Sequence, residues 1–184
     1  MTEKNDLEFE FCLRLKQLGK ADLARLRRCA GKLLAEASGP ALLLFFQLLP
    51  EDVPERDRET YFLIATLFPL ADAGTVRRSL GATLRLIRDP QHPEGTDRRM
   101  RRLLDADMRQ LPFLLRHAVR LLKGEEKSID WQTLLHDILR WNARKRFVQI
   151  RWAGDYFEKG RAKKPQDTEE ARTFFEEQPT ETQP

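Results

Sequence analysis

The 184-residue chain carries 33 Lys and Arg against 29 Asp and Glu, a formal net charge of +4, with 41% hydrophobic residues. That length and balance predict one soluble domain with a sizeable core. The longest apolar run, Ala41 to Phe46, is far below the about 20 residues of a membrane span, and the polar start Met1-Thr2-Glu3-Lys4 lacks a signal core, so secreted and membrane readings are excluded and a cytoplasmic protein is expected.

Leucine occurs 29 times, valine and isoleucine together nine. That choice favours helix, because strands select β-branched residues. Apolar positions recur at three- and four-residue steps between Gly, Pro and Asp punctuation. The expected elements are helices over 6–18, 22–37, 40–49, 56–70, 75–88, 97–107, 110–123, 130–142 and 144–158. Gly19 separates the first two, Pro40 sits at a tolerated first-turn position, and Asp130 is an N-cap for the helix that begins at Trp131. The loop from Asp89 to Thr96 holds two prolines and a glycine. The predicted fold class is all-α: a single compact bundle of eight or nine helices over 1–160. An acidic tail over 161–184 is predicted to be mostly disordered, with a short docking helix at Thr173-Phe174-Phe175 as the lesser alternative.

Charge is segregated along the chain. The first ten residues sum to −3 and residues 165–184 to −5, which leaves 11–164 at +12. Arginine supplies 23 of the 33 positive charges, and its planar fork suits phosphate. In the 22–37 helix, Leu23, Leu26, Ala30, Leu33, Leu34 and Ala37 form an apolar stripe, with Arg25, Arg28 and Lys32 opposite and Arg27 beside them. Further on, Arg98, Arg99, Arg101 and Arg102 cover one side of a helix whose other side is Met100, Leu103 and Leu104. Mutual repulsion makes such a face costly without an anion against it; Asp105 is placed to pair with Arg101 or Arg102. The third cluster is Arg140, Arg144, Lys145, Arg146 and Arg151, interleaved with Trp141, Phe147, Trp152 and Tyr156. Arg116, Arg120 and Lys123 form a lesser ridge. Each cluster has two readings, a solvated surface or a phosphate-binding face. The aromatics read foremost as core: Phe147, Ile150 and Phe157 follow core spacing, and Val148, Trp152 and Tyr156 form a second stripe. No base-reading helix-turn-helix is evident, so spread arginines point to backbone contact without sequence preference.

Cys12 and Cys29 lie seventeen positions apart without a C-x-x-C, which predicts reduced, half-buried thiols. His92, His117 and His136 have no second ligand at metal spacing, so neither a metal nor another cofactor is expected. Nucleotide-binding, nucleophile-elbow and zinc-protease motifs are absent. Asp105 and Asp107 give a small nuclease only weak support, since two positions apart on a helix they face different ways. No catalytic residue is identified.

Several segments resemble the CasB family, the small subunit of the type I-E CRISPR surveillance complex Cascade. They are Ala24-Arg25-Leu26-Arg27-Arg28, Phe45-Phe46-Gln47-Leu48-Leu49-Pro50, Tyr61-Phe62-Leu63-Ile64-Ala65-Thr66-Leu67-Phe68, Ser79-Leu80-Gly81-Ala82-Thr83-Leu84-Arg85 and Arg98-Arg99-Met100-Arg101-Arg102-Leu103-Leu104-Asp105. Leu111-Pro112-Phe113, Ile129-Asp130-Trp131, Leu139-Arg140-Trp141-Asn142 and Gln149-Ile150-Arg151-Trp152-Ala153 continue the match, which runs over roughly 8–158. The resemblance implies a non-catalytic helical subunit in two copies, beside the large subunit and the crRNA backbone subunits. It implies contact with crRNA, target DNA and the displaced strand, holding the R-loop open for antiviral defence. Carried over by segment, Arg25, Arg27, Arg28, the Arg98–Arg102 group, Arg140, Arg144 and Arg151 are the foremost candidates. Two features depart from the family pattern. The acidic tail is either a solubilising end or a competitor for the basic face, and the connector Asn142-Ala143-Arg144-Lys145-Arg146 is unusually basic. On residues alone, a free-standing helical adaptor for acidic protein partners is the competing class.

Overall fold

Eight consecutive residues, Thr60 to Leu67, are buried in one helix, α4 (Arg58–Leu67). A helix that is apolar on all sides must be surrounded, and the rest of the chain wraps it. The computed structural model describes the backbone of residues 3–157 and the side chains of 6–157. Among the described residues there are nine α-helices and no strand: α1 (Glu3–Lys16), α2 (Lys20–Arg27), α3 (Gly39–Leu48), α4, α5 (Leu80–Arg85), α6 (Glu94–Leu104), α7 (Leu111–Gly124), α8 (Trp131–Leu139) and α9 (Phe147–Phe157). An isolated parallel bridge joins Ala73 to Ile129. The all-helical class is as expected; the expected boundary at residue 160 and the acidic tail lie outside the described residues.

Around α4 pack α2, α7 and α8, α1 lies on α8, and α3 lies on α1 and α2. Phe11 of α1 meets Tyr61 of α4 edge-on at 4.8 Å, and Phe45 of α3 meets Phe62 at 5.3 Å. At the other end α5 and α9 cross closely. A Cβ added to Gly81 would stand 2.2 Å from the Trp152 carbonyl oxygen, so only glycine permits this approach. Ser79 caps α5, accepting from the Ala82 amide at 3.2 Å. Asp130 caps α8 as expected, accepting from the Thr133 amide at 3.0 Å, and its second oxygen accepts from the Arg78 amide.

Several boundaries differ from the periodic reading. The expected 22–37 helix stops at Arg27. Gly31 takes φ +79° in the following turn, and a short 3-10 turn covers Leu34–Glu36. Glu59 of α4 accepts from the Leu34 amide at 2.9 Å, which ties this segment to the core helix in a non-α geometry. Leu33 is accordingly exposed rather than part of a buried stripe. The expected 75–88 and 56–70 helices shrink to their centres, set by the Ser79 cap in one and by Pro69 in a terminal 3-10 turn in the other.

The aromatic stripes of α9 separate. Val148, Trp152 and Tyr156 are buried, while Phe147, Ile150 and Phe157, read as core, are exposed. α9 is a peripheral helix covered on one side by α5 and α6, so only one stripe is buried. Cys12 and Cys29 are free and fully buried, deeper than expected, and burial pushes the Cys12 thiol up to about 12. No helix among the described residues is long and apolar enough to cross a membrane.

Candidate nucleic-acid interface

Helix α6 is the centre of the basic surface. Its buried side is Met100 and Leu103, with Leu104 half-buried, while Arg98, Arg99, Arg101 and Arg102 are all exposed. At 100° per residue the four arginines fan over about 160° of the outer surface. None of the four forms an ion pair among the described residues. Asp97 receives the Arg88 guanidinium at 2.8 and 3.2 Å and the Tyr156 hydroxyl at 2.6 Å. These donors, Arg88 foremost, hold its carboxyl below the usual carboxylate range. Asp105 caps the end of α6 but forms no ion pair with Arg101 or Arg102 among the described residues. Asp107 accepts from the Arg109 and Gln110 amides at 2.9 and 2.8 Å, which starts α7. The two aspartates that suggested a nuclease thus terminate one helix and begin the next. Among the described residues no three His, Cys, Asp or Glu side chains gather as a metal-binding group.

The outward side of α7 continues the surface. Arg120 and His117 are exposed, and Phe113 stacks edge-on with His117 at 4.4 Å. Between α6 and α7 lies an apolar trough of about 250 Å³, floored by Leu103, Leu114 and Ala118 and rimmed by Arg99, Arg102, Phe113 and His117. On the far side of α7 the stem of Arg116 packs on Gly31, its Cδ 3.0 Å from where a Cβ would stand. The turn carrying exposed Arg28 and Lys32 therefore docks against Arg116. Lys32 reaches this surface from the turn, not from the helix face expected of it. Lys123 of the same ridge pairs with Asp72 at 2.7 Å, and Arg25 pairs with Asp22 at 2.8 Å; Arg27 is exposed on α2.

The third cluster divides. Arg140 donates to Glu8, which is 1% exposed, and to the His136 carbonyl; His136 also meets Glu8 at 2.9 Å. Arg151 pairs with Asp137, which is fully buried. These two arginines bind α8 to its neighbours. Arg144 and Lys145 are exposed in the connector. Arg146 takes φ 48° and donates to the Leu104 carbonyl at 2.7 Å, which closes the C-terminus of α6. The connector thus abuts the α6 face. Trp141 and Trp152 are buried, 5.0 Å apart, so they are not free for base stacking. Arg109, in the α6–α7 loop, is a further exposed arginine. A solitary loop arginine leaves no periodic signal.

Fold and site together define a class: a small helical protein built round one apolar helix, with a run of exposed arginines on α6 that form no ion pair among the described residues. The match to known proteins is more particular. The chain belongs to the CRISPR-associated Cse2 family, whose family model matches residues 22–157. A CRISPR-associated protein Cse2 of Thermus thermophilus is 38% identical over 111 residues, 59% of this chain, and the chain spans 62% of that relative's length. The crystal structure of CasB from M. ruber is 32% identical with a TM-score of 0.66, covering 82% of this chain and 92% of that one. A chain of a CRISPR RNA-guided surveillance complex, 20% identical, shares the fold at a TM-score of 0.68 over 83% and 92% of the two chains.

Proposed function

We propose that this chain is a non-catalytic small subunit of a type I-E CRISPR surveillance complex, binding nucleic acid without sequence preference and stabilising the R-loop. The single observation that carries the reading is the α6 face, where four exposed arginines form no ion pair with an acid among the described residues. Exchanging a DNA duplex for a guide–target heteroduplex is nearly balanced in free energy, at about 1.4 kcal/mol per step on either side. A few charge-assisted contacts to the displaced strand then decide how long the loop stays open. Arg98, Arg99, Arg101, Arg102, Arg116, Arg120, Arg28 and Lys32 supply those contacts, with Arg27, Arg144 and Lys145 flanking them. The ion-paired Arg140 and Arg151 hold the scaffold.

Membership of the Cse2 family and the shared fold of a surveillance-complex chain support an assembly with the large subunit, the crRNA backbone subunits and a second copy, in the cytoplasm. The exposed Phe147, Ile150 and Phe157 on α9 suit contact with such neighbours. The reading is tested by assembling the complex with and without this chain and following the lifetime of the R-loop on a matched target. The lifetime shortens without the chain, and more so at higher salt. An unchanged lifetime would leave the adaptor reading, in which acidic proteins cover the same arginines.

A further inference from the structure

Trp141 and Trp152, interleaved with the third arginine cluster, are buried, whereas a different aromatic pair faces outward beside the α6 arginines. Phe113 is 55% exposed and meets exposed His117 edge-on at 4.4 Å, one turn along α7. Leu111 and Pro112 are buried and seat the first turn of that helix. Phe113 and His117 therefore share one row, and Leu114 and Ala118 form the next row, about 100° round the helix. From α6 come Arg99, Arg102 and Leu103, spaced to lie on one side. Ala118 is the small residue in the floor that leaves the trough of about 250 Å³ open. A second depression, lined by Arg102, Asp105, Gln110, Phe113 and Leu114, adjoins it, so Phe113 borders both. We infer that this trough is a nucleobase site: an unpaired base of a single strand lies on the apolar floor against Phe113 and His117, with its flanking phosphates on Arg99 and Arg102.

Two chemistries meet at this trough, and its occupant has to supply both. The apolar floor and the exposed aromatic edge suit a flat ring, and every base offers a π-face. The rim calls for anions, because Arg98, Arg99, Arg101 and Arg102 are exposed and none is ion-paired among the described residues. Arg99 donates one N–H to the Gly95 carbonyl at 3.0 Å, which leaves most of its five donors for a ligand. A purely apolar partner would cover these charges without pairing them, at a cost. A duplex brings phosphates but keeps its bases stacked away from the floor. An unpaired nucleotide carries ring and phosphate together. A cavity of about 150 Å³ already takes a benzene-sized ring, so the trough has room for a pyrimidine. Asp105, on the second depression, repels phosphate there and confines the anionic part to the α6 rim. The run of arginines along α6 favours a polymer that repeats its charge over a single acidic side chain. Base binding here rests on the nucleic-acid role proposed above and sharpens it: the strand is held by base faces as well as phosphates, and single strands are preferred to duplex.

The full chain is titrated with oligo-dT and with an abasic oligonucleotide of the same length and charge, at one salt concentration. The parent binds oligo-dT about five- to tenfold more tightly, the low end of the range for one base–aromatic stack. Phe113→Ala removes most of that preference and leaves affinity for the abasic strand unchanged, while Phe113→Tyr retains it. A strand carrying 4-thiothymidine crosslinks on irradiation to the α7 segment that holds Phe113, Leu114 and His117. Equal affinities for the two strands in the parent, a base preference that survives Phe113→Ala, or crosslinks confined to other surfaces overturn the base site and leave phosphate binding by α6 standing. Absence of binding to either strand overturns the nucleic-acid reading, and the base site with it. If Phe113→Ala instead weakens assembly into the surveillance complex while both oligonucleotide affinities stay unchanged, the trough is a protein-docking face and the base site is overturned.

Discussion

Trp152 donates its indole N–H to one oxygen of Asp137 at 2.6 Å, while its sequence neighbour Arg151 takes the other oxygen. Two successive residues of α9 thus grip one buried carboxylate of α8. Burial pushes the Asp137 carboxyl up, and the hydrogen bonds from Trp152 and Arg151 oppose that push. The contact fixes α9 in the place from which it packs on α5 and holds Asp97 of α6 through Tyr156.

Replacing Asp137 by Ala leaves a buried indole N–H without an acceptor and frees Arg151. The expected loss is about 3 kcal/mol, the scale for breaking a buried charged network from one side. Asp137→Asn retains an acceptor for Trp152 and loses less than half as much. Denaturant titration of both variants checks the order.

Gly81→Ala meets main chain, not a side-chain tip that can swing aside, since the nearest atoms belong to the Trp152 backbone. A loss of about 3 kcal/mol or more follows, at the upper end for overpacking, because α5 and α9 must separate. Gly154→Ala is the control on the α9 side of this crossing. Its added Cβ meets nothing within 4 Å, so Ala raises stability by about 0.5–1 kcal/mol through helix propensity.

The acid limb of the stability profile carries the mark of Asp97. Its carboxyl titrates lower in the folded protein than in the unfolded chain because of Arg88 and Tyr156. It therefore contributes stability above the ordinary carboxylate range, and that contribution is lost as pH falls through its lowered value. Melting temperatures from pH 7 down to 3 fall less steeply in Asp97→Asn than in the parent chain. Asp137 runs the opposite way, since a carboxyl raised by burial favours the folded state when protonated. Asp137→Asn accordingly steepens the limb.

Arg140 and the α6 arginines separate structural from interfacial charge. Arg140→Ala strips a partner from Glu8, which is 1% exposed. It costs on the order of 2 kcal/mol of stability, moderated because Arg140 itself is about a third exposed. Arg99→Ala/Arg101→Ala removes no ion pair among the described residues, only the Arg99 bond to the Gly95 carbonyl. Its melting temperature stays within about 2 °C of the parent, the range of ordinary surface substitutions.

Much of the fold and of the α6 face is legible in the amino-acid sequence. Leucine periodicity locates the helices, and the Arg98–Arg102 run with Met100 and Leu103 opposite declares both faces of α6, because adjacent residues on one long helix carry their own geometry. What periodicity misses depends on partners distant in sequence. It carries the second helix through Gly31, whose φ of +79° lies outside any helix, and the Glu59 grip on Leu34 is a tertiary effect. Phe147, Ile150 and Phe157 have the spacing of a core stripe, yet which side of a peripheral helix is covered depends on α5 and α6. Arg140 and Arg151 look like Arg99 in the sequence, and only the burial of Glu8 and Asp137 sets them apart.

The α6 arginines meeting phosphate is the central claim, and a salt series of single-strand binding tests it most directly. Affinity of the full chain for oligo-dT is measured at increasing monovalent salt, with the parent and with Arg99→Ala/Arg101→Ala. A straight fall in log affinity against log salt is expected, flattening by about 1.4 in slope when two phosphate contacts are removed. A slope that is unchanged by the substitutions, or an affinity independent of salt, would contradict it.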